Sequence, residues 1–292
     1  MIKSYKIGTD PEFIIVDCQT GEPRSGIGKL GGTKANPEDI GEGCGVQEDN
    51  VTAELTVPPS TSVEEFIYYM NYGRNAINER LKPFNLKLLS ASSARYTEEE
   101  LDNEVARKFG CEPSYCIYTK SISPRPTPEQ IGNLRSAGFH IHIGADRLLT
   151  IEEVEALIFY MDVYLGLPSV ILDLDTDRKK IYGNAGDFRF KNIVTSDEEF
   201  TIVEYRTLGA GLHGSDKHIK FVYEQTEKAI QAFNNNSTPT IEENVQKTID
   251  TNNTDAARKL CRDYGIEFNE VPAIFEQGLV YEHSSRMANN FA

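Results

Sequence analysis

Residues 7–13 read IGTDPEF, and the reading of this stretch decides the fold. A β-strand turns successive side chains to opposite faces, so Asp10 and Glu12 point the same way. Two carboxylates on one strand face mark either a solvated surface or the wall of a cleft that holds a metal ion. The choice depends on whether other strands repeat the pattern.

Working outward, "KIGTDPEFIIVD" reads as a strand closed by a turn at "CQTGE". Residues 25–45 are dense in glycine and broken by Pro37, which predicts a long loop of functional type. "VQEDNVTAELTVPP" has strand character and stops at Pro58-Pro59. Thr61 with Glu64 has the form of a capping box, and the apolar spacing of Phe66, Tyr69, Met70, Ile77 and Leu81 predicts a helix. "LKLLSASSARY" and "GFHIHIGA" read as strands, and residues 97–110 as a short acidic helix or turn. The three prolines Pro124, Pro126 and Pro128 predict irregular surface structure between them. Residues 150–172 form a strong helix pattern capped by Thr150. "DTDRKKIYGNAGDFRFK" reads as a loop, "FTIVEYRTLGAG" as a strand and "KHIKFVYEQTEKAIQAF" as a helix. No regular βαβ rhythm is present, so the expected class is α+β with a mainly antiparallel sheet.

The chain has 292 residues, 39% of them hydrophobic, including 14 Tyr and 14 Phe, enough for a sizeable core. Its net charge of −15 argues against nucleic-acid binding by bulk attraction and is compatible with bound divalent cations. The five cysteines, Cys18, Cys44, Cys111, Cys116 and Cys261, lack zinc-knuckle spacing and read as structural thiols in a reducing compartment. The N-terminus carries no apolar signal region, and no uninterrupted apolar run of membrane-spanning length occurs. The expectation is a cytoplasmic protein with no membrane partner.

The polar pattern of IGTDPEF recurs. The second strand offers Glu54, with Glu48 nearby at the same parity. The third offers His140 and His142, and the fourth Glu204 and Arg206. The opposite parity carries Phe13, Leu55, Ile141, Ile143, Val203 and Tyr205, a core face. If the strands adjoin, several carboxylates meet, which is costly unless a cation neutralises them. Oxygen-rich ligands of this kind suit magnesium or manganese. Arg206, Arg178 and Arg189 add planar forks matched to phosphate, which points to phosphoryl chemistry. There is no P-loop motif, although Lys29 and Lys34 in the glycine-rich loop could meet an anion.

In order along the chain, "GTDPEF", "EDNVTAELTVPP", "GFHIHIG", "RKKIYGNAGDFR" and "VEYRTLG" resemble the motifs of the carboxylate–amine ligase superfamily, which includes glutamine synthetase and glutamate–cysteine ligase. More narrowly, the chain is similar to the phage-encoded COOH-NH2 ligases, or amidoligases. The resemblance spans roughly residues 5 to 235. It implies a curved antiparallel sheet with helices on its outer face, like the catalytic domain of glutamine synthetase, and a cleft for ATP and Mg2+ or Mn2+. By resemblance, Asp10, Glu12, Glu54, His140 and Glu204 would be metal ligands, with Glu48 a weaker candidate. Arg206 would bind the transferring phosphoryl group, Arg178 and Arg189 would contact ATP phosphates or an acyl phosphate, and His142 would orient a ligand or meet a substrate carboxylate. Lys34 joins the anion-contacting set.

The implied reaction is ATP-dependent. A carboxylate takes the γ-phosphoryl group, and an amine displaces phosphate to form an amide. The substrates would be small molecules or peptides, and the general base a carboxylate from the loop around Asp39 or Glu42. The glycine-rich loop would close over the site. Two departures stand out: the first acid is aspartate rather than glutamate, and the small N-terminal domain of glutamine synthetase is absent, so a similar ring of subunits is not implied. Residues 1–235 are expected to form the catalytic domain and residues 236–292 a small helical appendix with no counterpart. The location would be host cytoplasm if the gene is phage-borne. The residues alone leave three other functions open: another ATP-dependent phosphotransferase, a metal-dependent hydrolase and a non-catalytic nucleotide-binding protein.

Overall fold

The computed structural model describes residues 1–107, 113–124, 126–268, 271–274 and 280–281. Cys111 and most of residues 269–292 lie outside this set. In chain order the strands are β1 (Tyr5–Asp17), β2 (Glu38–Gly41), β3 (Cys44–Asp49), β4 (Thr52–Thr56), β5 (Leu86–Leu89), β6 (Ser93–Arg95), β7 (Tyr115–Cys116), β8 (Ser121–Ile122), β9 (Leu134–Ser136), β10 (Phe139–Ala145), β11 (Asp187–Val194), β12 (Glu199–Tyr205), β13 (Ala273–Ile274) and β14 (Val280–Tyr281). The helices are α1 (Val63–Leu81), α2 (Glu104–Arg107), α3 (Pro128–Ile131), α4 (Ile151–Met161), α5 (Leu167–Leu172), α6 (Asp216–Asn235), α7 (Glu243–Asp250) and α8 (Thr254–Asp263).

The fold is α+β. Among the described residues, ten strands form one antiparallel sheet in the order β2-β3-β4-β1-β10-β12-β11-β7-β8, with β5 also paired to β1. β1 is central and changes partner along its length: residues 5–11 pair with β10, Glu12 and Phe13 with β4, and residues 14–17 with β5. Pro11 sits at the handover. Backbone N–H groups alternate sides, and Glu12 N donates to Gly138 O at 3.0 Å on the β10 side. The proline nitrogen therefore faces the other edge, before β4 pairing begins, where no ladder bond is lost.

One sheet face packs on helices. Ile7, Ile141, Ile143, Val203 and Tyr205 share a core with residues of α1, α4 and α6. The capping box predicted at Thr150 is present, with reciprocal bonds to Glu153. At α1 the cap is Ser62 rather than Thr61: Ser62 Oγ accepts from Glu65 N, and Glu65 reaches back to Thr61. α4, a π-helical turn at Asp162–Gly166 and α5 run continuously from Ile151 to Leu172. This helix is long and apolar enough to cross a membrane, but 89% of its most apolar window is buried inside the protein. α7 and α8 lie beside α5, and Val245, Ile249, Ala257 and Cys261 belong to the same core as the sheet helices. Cys44, Cys116 and Cys261 are buried free thiols, and Cys18 is exposed.

Three strand readings of the sequence change. "VQEDNVTAELTV" is a hairpin, β3–β4, turning at Asn50, whose φ is +61°. "DFRFK" belongs to strand β11, not to a loop. The expected loop of residues 25–45 is irregular only as far as residue 37, since Glu38–Gly41 form β2 and Cys44 starts β3, and its irregular part is pinned: Gly32 has φ +75°, and a Cβ there would lie 2.2 Å from Val46 O. Gly32→Ala is expected to cost about 1–3 kcal/mol, read as a fall in thermal midpoint with the secondary structure retained.

Candidate functional site

The face opposite the helices carries the polar residues, and strand register aligns them. Asp10 pairs with His140, His142 with Glu204, Glu204 with Arg189, and Glu12 with Glu54. Residues directly opposite in antiparallel strands share a face with their side chains in reach. The result is two clusters of ligand atoms, each within 4.8 Å: Asp10, His142 and Glu204 in one, Glu12, Asp49 and Glu54 in the other.

In the first cluster, His140 Nδ1 lies 3.1 Å and His142 Nε2 3.4 Å from Asp10 Oδ1, and His140 Nδ1 lies 3.8 Å from Glu204 Oε1. Burial works to push the Asp10 carboxyl up, but His142 and His140 outweigh it and hold it below the usual carboxylate range. Burial likewise opposes ionisation of Glu204, and Arg206 and His140 more than offset it. Burial and Arg206 hold His140 below its ordinary value, whereas for His142 the attraction of Asp10 and Glu204 overcomes burial and raises it.

In the second cluster the counter-charges, Arg178, Arg206 and Lys34, do not outweigh burial. Burial, then Asp49, pushes Glu12 up to about 8, against the opposing Gly138 amide, which donates to Glu12 Oε2 at 2.7 Å. Burial, then Asp10, Glu12 and Asp49, pushes Glu54 up to about 9. Burial raises Asp49 too, with Lys34 pulling it back. Three half-buried acids that resist ionisation without a partner are the donor set a divalent cation satisfies. His142 Nε2 is buried and faces only Asp10 Oδ1 at 3.4 Å, without a well-directed hydrogen bond, and offers the same opening in the first cluster. Both donor sets therefore fit a metal ion.

This electrostatic frustration has a pH consequence. The folded values of Glu12 and Glu54, about 8 and about 9, lie above the ordinary value of 4.5. Between those limits the native state binds more protons than the unfolded chain, so stability falls as pH rises. Metal-stripped protein should melt progressively lower from pH 5 to pH 9. Mn2+ or Mg2+ at a hundred times its dissociation constant should restore about 2.7 kcal/mol at the alkaline end, and Glu54→Gln should flatten the slope in chelator. A flat profile in chelator would contradict the arrangement.

The arginines border the clusters. Arg206 donates to Glu204 Oε1, and Arg189 Nη1 lies 3.6 Å from the same oxygen. Arg178 is 4% exposed and donates to Thr207 O and Arg206 O, leaving its Nε buried without a partner. Lys34, exposed on the glycine-rich loop, lines the same cleft of ≈ 380 Å3 as Asp10, Glu12, Asp49, Glu54 and Glu204. Lys29 is instead tied to Ser25 O at 2.6 Å.

Glu48 does not join the clusters. In the β3–β4 hairpin, Gln47 opposes Glu54 and Glu48 opposes Ala53, so the turn inverts parity and Asp49 takes the cleft-facing place expected for Glu48. The Glu48 carboxylate accepts from the amides of Gly28, Leu30 and Gly31 at 3.0–3.2 Å and anchors the loop. Asp39 and Glu42 also lie elsewhere. Their hairpin, β2–β3, packs on α1, where Tyr72 donates to Ile40 O at 3.0 Å. Asp187, at the start of β11, is absent from the expected site residues; it is 5% exposed and borders an inner chamber beyond Arg206. The alternation D-F-R-F was the available signal.

No protein-family model matches the sequence, and no curated protein does. Among solved structures the chain is similar to a bifunctional glutathione synthetase from Pasteurella multocida, at 11% identity and a TM-score of 0.43 over 90% of this chain and 46% of that one. It is also similar to Plasmodium falciparum glutamine synthetase, at 10% identity and 0.36 over 79% and 52%, and to GmaS with ADP, at 8% identity and 0.38 over 91% and 71%. The chain spans about half the length of the first two. At these identities and TM-scores the likeness assigns neither activity nor substrate.

Proposed function

We propose that the chain is an ATP-dependent carboxylate–amine ligase of the amidoligase type, forming an amide through an acyl phosphate. The observation that carries this reading is two adjacent ligand clusters on one sheet face, bordered by Arg206, Arg189 and Arg178. Joining a carboxylate to a triphosphate requires several positive charges between two anions. Asp10, His142 and Glu204 would hold one divalent ion, with His140 beside them, and Glu12, Asp49 and Glu54 a second. When bound, Mg2+ or Mn2+ supplies charge neutralisation for the phosphates.

The chain's own residues do the rest. Arg206 and Arg189 present forks to the transferring phosphoryl group. Lys34 reaches the cleft from the pinned loop, which shields the acyl phosphate from water. A groove of ≈ 780 Å3 adjoins the first cluster at His142 and Ile202 and has Tyr5, Val57, Pro59 and Phe200 in its walls. Its lining is mixed, with Lys6, Asp146, Glu198 and Glu199 beside the apolar walls, and its size suits a nucleoside.

The test is a mass-spectrometric screen of amino acids and amines with ATP and Mg2+, reading ADP and a condensation product. ADP together with an amide is the expected result. Turnover without ATP would indicate a hydrolase, phosphate transfer without an amine a phosphotransferase, and nucleotide binding without product a binding protein.

A further inference from the structure

We propose that the inner chamber is the amine subsite, with Asp187 binding an aliphatic primary ammonium and taking its proton; this rests on the ligase reading. The chamber, ≈ 80 Å3, shares Glu12, Asp49 and Arg206 with the metal-ligand side of the cleft, and Asp187 lines it too. It has room for on the order of six waters, the size of an amine head with a short carbon stem. Val51, Leu134 and Ile181 supply apolar wall for that stem.

Asp187 takes no part in either ligand cluster. Its Oδ1 accepts from the neutral Ser123 hydroxyl at 2.5 Å, and its backbone carbonyl accepts from Arg206 N at 3.0 Å. Burial pushes its carboxyl up to about 6, with Ser123, Arg206 and Lys179 drawing it down and Asp250 opposing them. A carboxylate so placed pairs with an ammonium and accepts its proton as the nitrogen attacks. Of the chamber's other charged groups, Glu12 and Asp49 belong to the second ligand cluster, and Arg178 donates to Thr207 O and Arg206 O. Arg135 donates to the carbonyls of Gly132, Leu134 and Ala106, and Arg206 to Glu204. The buried Nε of Arg178 is a donor suited to an oxygen of the activated carboxylate.

The step balances. One ammonium proton passes to Asp187, and the nitrogen lone pair forms the C–N bond. The C–O bond to phosphate breaks with its electron pair, and the nitrogen's second proton leaves on the phosphate.

The test is isothermal titration of the full chain with ethylammonium chloride in the presence of Mn2+ and a non-hydrolysable ATP analogue. Wild type should bind, and Asp187→Asn should bind at least tenfold more weakly while keeping its affinity for Mn2+ and the analogue. Equal ethylammonium affinity in the variant, or none in wild type, overturns the proposal. Wild-type crystals soaked in ethylammonium give an answer independent of the variant's folding: the nitrogen should lie within hydrogen-bond distance of Asp187, and density elsewhere or none overturns the assignment. If the analogue fails to bind but ethylammonium binds through Asp187, the ligase reading fails and the cation subsite stands.

Discussion

Replacing Glu204 with alanine is expected to lower ATP-dependent amide formation by about 10³-fold while leaving the fold intact. Glu204 is the residue on which the site converges. It lies within ligand distance of Asp10 and His142, receives Arg206 and stands 3.6 Å from Arg189 Nη1. Removing its carboxylate takes a donor from one cluster and releases the arginine held beside it. The core face of β12, with Val203 and Tyr205 fully buried, is untouched. The thermal midpoint in chelator should therefore move little, whereas the Mn2+-induced rise should shrink. Steady-state ADP release and Mn2+ titration check both. Glu204→Gln, which keeps shape but loses charge, should resemble the alanine variant. Turnover in Glu204→Ala within tenfold of wild type would remove the residue from the reaction.

Arg206→Lys is expected to lose about 10²-fold in turnover with the positive charge retained. Arg206 is 6% exposed and opens onto both the cleft and the inner chamber. A guanidinium can hold Glu204 with one edge and a phosphoryl oxygen with another. An ammonium on a flexible stem reaches one or the other. The loss should fall mainly on kcat, since the fork matters most where phosphoryl charge develops. A lysine variant with near-wild-type kcat would mean that Arg206 serves only to position Glu204.

Much of the site was readable because strand geometry is local. Asp10 with Glu12, His140 with His142 and Glu204 with Arg206 each declare a shared face through a period of two, against Ile141, Val203 and Tyr205 on the other. The structure brings these residues onto one surface through the register of β1, β10 and β12. The hairpin was less legible. Parity counted across Asn50 as if the strand were continuous put Glu48 in the cleft, and the turn puts Asp49 there. β11 was hidden by the glycines before it, so Arg189 was read as a loop residue although it stands across the ladder from Glu204. The alternation D-F-R-F marks Asp187 as a strand residue, but its significance comes from Arg206 and Ser123, neighbours only through the fold.

The amino-acid sequence alone determined which face of each strand is polar and where the main helices begin, since side-chain alternation and capping act over a few neighbouring residues. Tertiary structure decided which acids share an ion-sized space, which glutamate anchors a loop instead, and that an aspartate beyond Arg206 lines a chamber adjoining the cleft. Those outcomes depend on strand register and turn geometry, which are settled by packing between segments more than a hundred residues apart, such as Asp10 against His140.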